Sequence, residues 1–459
     1  MKNKKNIKAF GILLLFTIIL TWIIPSTTVG TDELITGSIS SVGFADIFTA
    51  PEILLQYFGK TSILILFIGM FYGVINKSGV YKAFVDTISQ IAKKHKNIFV
   101  IITVLFYMIT TSLTGIYIPM LMFIPISIAI LFKLKYSKVQ AILATIGAST
   151  IGLLSQISNT LLQQISGVED NTYLFIKIGM LVVLAVITIL YLLKIDVKNT
   201  KEELNEEKIL FVPSNRSAKK QANIKGTSLY IVLSLLFIVF VFGLTQWKNQ
   251  EVFVEIYDAI KNVKIGNFAI LNSMLGYFET FGSWTQTSLY PTIALAIIVI
   301  SITNKLTFDE TIEACVSGAK KVIGLAIFAA IINLILIFTL NSGFVGTIIN
   351  FIAKSGNIAL VTLASLISNI FMVDLEYAIR YVPQVLSLSA NNTTISELYC
   401  LILQFTYSFV MLVAPSSILL MVGLNYVEEN YTKWIKYIWK LAIAILIICF
   451  IGITIAAVI

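Results

Sequence analysis

Residues 97–132, NIFVIITVLFYMITTSLTGIYIPMLMFIPISIAILF, run for 36 positions without a charge, and beyond three lysines residues 139–166, VQAILATIGASTIGLLSQISNTLLQQIS, run for another 28. A helix crossing a bilayer needs ~20 apolar residues, so the first stretch is too long for one crossing and too short for two. It reads as a helix feeding a re-entrant hairpin. The second stretch carries Ser155-Gln156-Ile157-Ser158-Asn159-Thr160 near its middle. Polar groups at that depth are expensive unless they face a cavity or a partner, so this is a broken helix of the kind that holds a solute or an ion.

Composition agrees. Of 459 residues, 57% are hydrophobic and only 12% charged, and the mean hydropathy is +0.90, far from the balance of a soluble domain. The chain is a polytopic membrane protein embedded in a lipid bilayer. Its net charge of +9 comes from lysines in short loops beside apolar spans, a pattern that orients a membrane chain, and no nucleic-acid partner is expected. Cys315, Cys400 and Cys449 have no paired spacing, and His95 is the single histidine. A disulfide framework, a histidine-held metal and a Ser-His-Asp triad are excluded. The start, Met1-Lys2-Asn3-Lys4-Lys5 before an apolar run to Pro25, lacks a clear small-residue cleavage site and reads as an uncleaved first span with a cytoplasmic N-terminus.

Apolar runs and their breaks predict about 11 spans, near 9–25, 60–76, 97–113 with a hairpin to 132, 139–166 and 173–194, then near 228–246, 288–303, 321–340, 357–371 with a hairpin to about 390, 397–423 and 434–459. The organisation is an N-terminal repeat (1–195), a polar cytoplasmic linker (196–227), a connecting helix with an extracellular segment (228–287) and a C-terminal repeat (288–459). Lys77, Lys82, Lys93, Lys94 and Lys96, with Lys133, Lys135 and Lys138, mark two cytoplasmic loops. Asp32 and Glu33, then Glu169 and Asp170, fall opposite. Trp22, Trp247 and Trp284, with Trp434 and Trp439, fit interfacial belts.

The two halves match. Ser78-Gly79 aligns with Ser342-Gly343, Asn97-Ile98 with Asn357-Ile358, Thr110-Thr111 with Ser368-Asn369, Pro125 with Pro383, and Val168-Glu169-Asp170-Asn171 with Val427-Glu428-Glu429-Asn430. The offset drifts only from 264 to 259. Lysine-rich loops of the first half correspond to lysine-poor loops of the second, so the copies are inverted in the membrane. Inverted repeats with discontinuous helices are the architecture of alternating-access carriers.

Ala45-Asp46-Ile47-Phe48-Thr49-Ala50-Pro51, Ile68 to Gly79, Phe123-Ile124-Pro125-Ile126, Ala414-Pro415-Ser416-Ser417 and Tyr431 to Lys436 resemble the anaerobic C4-dicarboxylate carrier and basic amino-acid antiporter family of the ion transporter superfamily. That resemblance implies secondary transport of small carboxylate-bearing solutes, a homodimer, frequent coupling to sodium, and a site formed by hairpin tips and Ser-Asn-Thr-like breaks. Ser158-Asn159-Thr160 matches the motif and Ser416-Ser417 is its weaker counterpart. Hydroxyls, an amide and freed backbone groups at half-helix ends suit a carboxylate or a hard cation, so a sodium site is expected near Ser158, Asn159, Ser416 and Ser417. Helix packing is the plainer role for the same residues.

The hairpins depart from the family. The first has Gly115-Ile116-Tyr117-Ile118-Pro119 where relatives often carry acidic residues. The second has Phe371 to Arg380, with Asp374, Glu376 and Arg380, where small hydroxyl residues are usual. An ionisable group at membrane depth costs ~3 kcal/mol on insertion scales. Glu376 and Arg380, four apart, suit an ion pair if that arm is helical, leaving Asp374 as a proton site, a sodium ligand or the partner of a substrate ammonium. Gln404, one turn from Tyr407 and Ser408, either orients substrate or bonds a neighbouring helix. The expected function is secondary active transport of a small carboxylate-bearing solute, an amino acid or peptide ahead of a C4-dicarboxylate, by symport or exchange. A membrane-embedded lipid enzyme and a passive channel are the rivals; clustered acidic metal ligands do not appear, and the hairpins disfavour the channel.

Overall fold

The computed structural model describes residues 4–157, 172–194, 226–245, 251–266, 268–270 and 279–459, with Leu162, Ser166, Gly167, Phe211, Val212 and Ser273. The first half comprises α1 (Lys4–Ile23), α2 (Asp46–Ser78), α3 (Val80–Ala92), α4 (Lys96–Thr114), α5 (Ile124–Lys133), α6 (Lys138–Leu154) and α7 (Leu174–Lys194). Then come α8 (Thr227–Leu244) and α9 (Glu251–Lys261). The second half comprises α10 (Leu289–Thr303), α11 (Phe308–Ile332), α12 (Leu334–Ser342), α13 (Phe344–Ala353), α14 (Ile358–Asn369), α15 (Leu375–Ser389), α16 (Glu397–Val413), α17 (Ile418–Tyr426) and α18 (Tyr431–Val458). Among the described residues nine helices, counting contiguous pairs such as α16 and α17 together, are long and apolar enough to cross a membrane, and four shorter apolar helices accompany them. The only strands described are two short antiparallel ribbons, Thr27–Val29 with Leu34–Thr36 and Lys264–Ile265 with Phe268–Ala269.

Local sequence sets the boundaries. Gly79 ends α2 and Gly343 ends α12, both left-handed (φ 81° and 65°), the conformation glycine adopts without strain. Ser137 with Gln140, and Thr307 with Glu310, form capping boxes that start α6 and α11. The span expected at 60–76 is longer than its apolar run, because α2 begins at Asp46 and carries Pro51 in its second turn, where the missing N–H gives up one intrahelical hydrogen bond. The span expected at 321–340 is two helices that meet at Asn333, whose side-chain amide donates to the Ala329 carbonyl (3.1 Å).

Element order repeats: α10 to α18 follow the pattern of α1 to α7, with α11 and α12 together standing where α2 does and α17 added after the break that ends α16, and packing shows how the copies relate. The most extensive helix contact is α2 against α11. Ser62 Oγ donates to the Ala326 carbonyl (2.7 Å), residues 264 apart, which is the offset of the aligned Ser78 and Ser342. Ser62 therefore meets its own counterpart. Gly69 abuts Gly318 and Gly73 abuts Ala314, so one number falls as the other rises and the equivalent helices run antiparallel. A Cβ on Gly318 would lie 2.1 Å from the Gly69 carbonyl oxygen, which is why small residues occupy this crossing. The broken helices obey the same relation. α6 ends at Leu154 and α16 at Val413, and 413 − 154 gives the offset 259 of the later alignment.

Loop contacts separate two ends. One end joins Asn6 to Glu429, Lys77 to Glu313, Lys133 to Asp86 and Lys138 to Glu428. The other joins Trp22 to Val42, Thr27 to Gly343 and Tyr381 to Thr27. The lysines cluster at the first end.

Candidate functional site

Two helix hairpins, one entering from each end, bring their tips to the same region. In the first, α4 stops at Gly115 (φ 71°), where a Cβ would meet Gln156 Nε2 at 2.4 Å. The left-handed backbone favours glycine, and a larger residue would also displace the end of the Gln156 side chain. This tip is stitched to the first helix break: Ser112 Oγ donates to the Ser155 carbonyl (2.6 Å), and the Ile157 N–H donates to the Ser112 carbonyl (2.8 Å). In the second, α14 stops at Asn369, and Asp374 begins α15 by accepting from the Glu376 N–H (2.9 Å), an N-cap that also places a carboxylate at the tip.

A broken helix leaves carbonyls without intrahelical partners, and here each set is met. Gln404 on α16 donates through Nε2 to the carbonyls of Leu154 (3.1 Å) and Gln156 (2.9 Å). Tyr431 donates to Val413 (2.7 Å) and Trp434 to Leu412 (3.1 Å). Ser417 begins α17, accepting from the Leu420 N–H (3.3 Å). The Tyr407 hydroxyl donates to the Val373 carbonyl (2.9 Å), so α16 holds the second tip.

Between these elements lies a vestibule of about 200 Å³, lined among others by Lys60, Gly115, Gln156, Gln286, Asp374 and Glu376. Beneath it a recess of about 10 Å³ is lined by Lys60, Thr150, Asn333, Asp374 and Ser417, room for about one water-sized occupant. Both tips and both breaks reach this cavity system.

The expected site residues divide. Ser158, Asn159 and Thr160 lie outside the described residues. Asp374 lines both cavities and Ser417 the recess. Glu376 lines the vestibule and is bonded to Arg380 (2.9 Å), the pair expected of two residues four apart on a helical arm, and the two side chains are 40% and 57% exposed. Gln404 holds backbone at the break. Ser416 is fully buried, and its hydroxyl has no hydrogen-bond partner among the described residues. Sequence reasoning missed Lys60, which looked like the edge of a span, and Asn369, whose buried Oδ1 has no hydrogen-bond partner among the described residues although its amide donates to Thr406 (3.0 Å).

The family model for the C4-dicarboxylate anaerobic carrier, DcuC, matches residues 7–458. The chain belongs to that family. It is accordingly a multi-pass membrane transporter. No curated protein matches it. Among solved structures it is similar to the YdaH transporter of Alcanivorax borkumensis, at 13% identity over 98% of each chain with a TM-score of 0.43. It is also similar to MtrF of Neisseria gonorrhoeae, described as illuminating a class of antimetabolite efflux pumps, at 14% identity over 98% of this chain and 94% of that one, with a TM-score of 0.39.

Proposed function

We propose that the chain is a secondary active carrier of a small carboxylate-bearing solute, working by alternating access with the lysine-rich end and the N-terminus in the cytoplasm. The observation that carries this reading is the convergence of both hairpin tips and both helix breaks on one cavity system containing Lys60 and Asp374. An inverted pair of half-sites lets small relative movements close one side as the other opens. Amino acids, peptides and C4-dicarboxylates all present the carboxylate this site suits.

Sodium fits as a coupling ion. Oxygen donors are what a hard cation requires; Thr150, Asn333, Asp374 and Ser417 line a recess with the size of a single ion or water, and outside that lining the Ser416 hydroxyl and Asn369 Oδ1 are buried oxygens lacking hydrogen-bond partners among the described residues. Proton coupling through Asp374 and solute exchange are the other modes this site suits. A homodimer, as in related carriers, completes the reading. Reconstituted protein loaded with an imposed sodium or proton gradient should accumulate a labelled amino acid, peptide or dicarboxylate above its external concentration; equilibration without accumulation under every gradient would overturn the proposal.

A further inference from the structure

Lys60 is the single charged residue between Glu52 and Lys77. It stands 18 residues from the Ser78 end of α2, ~27 Å at 1.5 Å per residue, against a hydrocarbon core of ~30 Å. Its surroundings are fixed: the Lys60 carbonyl accepts from the Tyr290 hydroxyl (2.7 Å), and Thr61 bonds Gln286 (3.3 Å). The ammonium and the Asp374 carboxylate line the same two cavities, and each is within electrostatic reach of the other. Yet among the described residues neither has an ion-pair partner within 4.0 Å. Glu376, the other charge on the vestibule, is already bonded to Arg380.

Among the described residues the site therefore presents a cation and an anion that face a common space without an ion pair, the Asp374 carboxylate being held by the backbone N–H groups of Glu376 and Tyr377. A cation and an anion that line one cavity without pairing favour an occupant that compensates both. A dicarboxylate would leave Asp374 beside two further negative charges, and an amine would leave Lys60 unmet. We propose, building on the carrier reading above, that Lys60 is the specificity-determining residue: its ammonium receives the carboxylate of the solute, Asp374 receives the ammonium of the same molecule, and the carried species is a zwitterionic amino acid.

The test uses the full-length protein in proteoliposomes, with a mixture of labelled amino acids and, separately, labelled succinate. For each amino acid carried, its decarboxylated amine and its deaminated acid serve as competitors. Wild type should carry amino acids in preference to succinate, and each one-charge analogue should compete on the order of 100-fold more weakly. Lys60→Gln should lose the discrimination between the amino acid and its amine, Asp374→Asn the discrimination between the amino acid and its deaminated acid, and Lys60→Arg should keep the wild-type pattern. Unchanged discrimination in a Lys60→Gln protein that remains monodisperse would overturn the role of Lys60. Carriage of succinate without amino acids would overturn the zwitterion assignment and leave the carrier reading standing, whereas no carriage of any solute would overturn both.

Discussion

At the scale of single residues, charges in the apolar background sort by what they touch. Glu376 and Arg380 satisfy each other on one face of α15 while remaining 40% and 57% exposed, and such pairs contribute ~0.2–1 kcal/mol. Glu376→Gln, Arg380→Gln and the double variant should each shift the melting temperature in detergent by only a degree or two; a severe loss in one single variant, restored in the double, would show that the pair acts as a buried one. Asp374 stood out in the sequence because an acid in an apolar hairpin has to be accounted for. Lys60 did not, since a lysine at the start of an apolar run looks the same whether it snorkels to an interface or sits beside a cavity. Only the position of α2 against the hairpin tips separates those roles.

Among helices and hairpins, the breaks were legible and their supports were not. Uncharged runs of 36 and 28 residues fit no whole number of spans, so the first hairpin and the first break follow from arithmetic. What satisfies the freed carbonyls comes from across the molecule: Gln404 reaches Leu154 and Gln156, about 250 positions away, and spacing along one chain gives no sign of it. Gln404→Leu would strand both carbonyls, at about 1–3 kcal/mol. It should lower the melting temperature and slow transport together. Loss of transport with unaltered stability would instead assign Gln404 to solute contact. The split at Asn333 and the π-helical stretch Leu143–Gly147 in α6 were equally invisible, because apolar runs look alike whatever their hydrogen-bond register.

For the whole molecule, the repeat was readable from matched motifs and a slowly drifting offset, and the inversion from lysines. The contact of Ser62 with Ala326 and the antiparallel glycine crossing add a local two-fold relation that no alignment supplies. Lys96→Cys and Asn392→Cys, each in a background lacking Cys315, Cys400 and Cys449, should label with an impermeant maleimide from opposite faces of the membrane; labelling from one face alone would contradict the orientation. The central claim is that this cavity opens to one side at a time. Ile118, which lines both the vestibule and the recess, reports on it: in Ile118→Cys, labelling rates from the two faces should vary reciprocally as solute and ion are changed. Rates that rise together from both faces would describe a continuous pore, and a rate of zero from either face under every condition would deny alternating access.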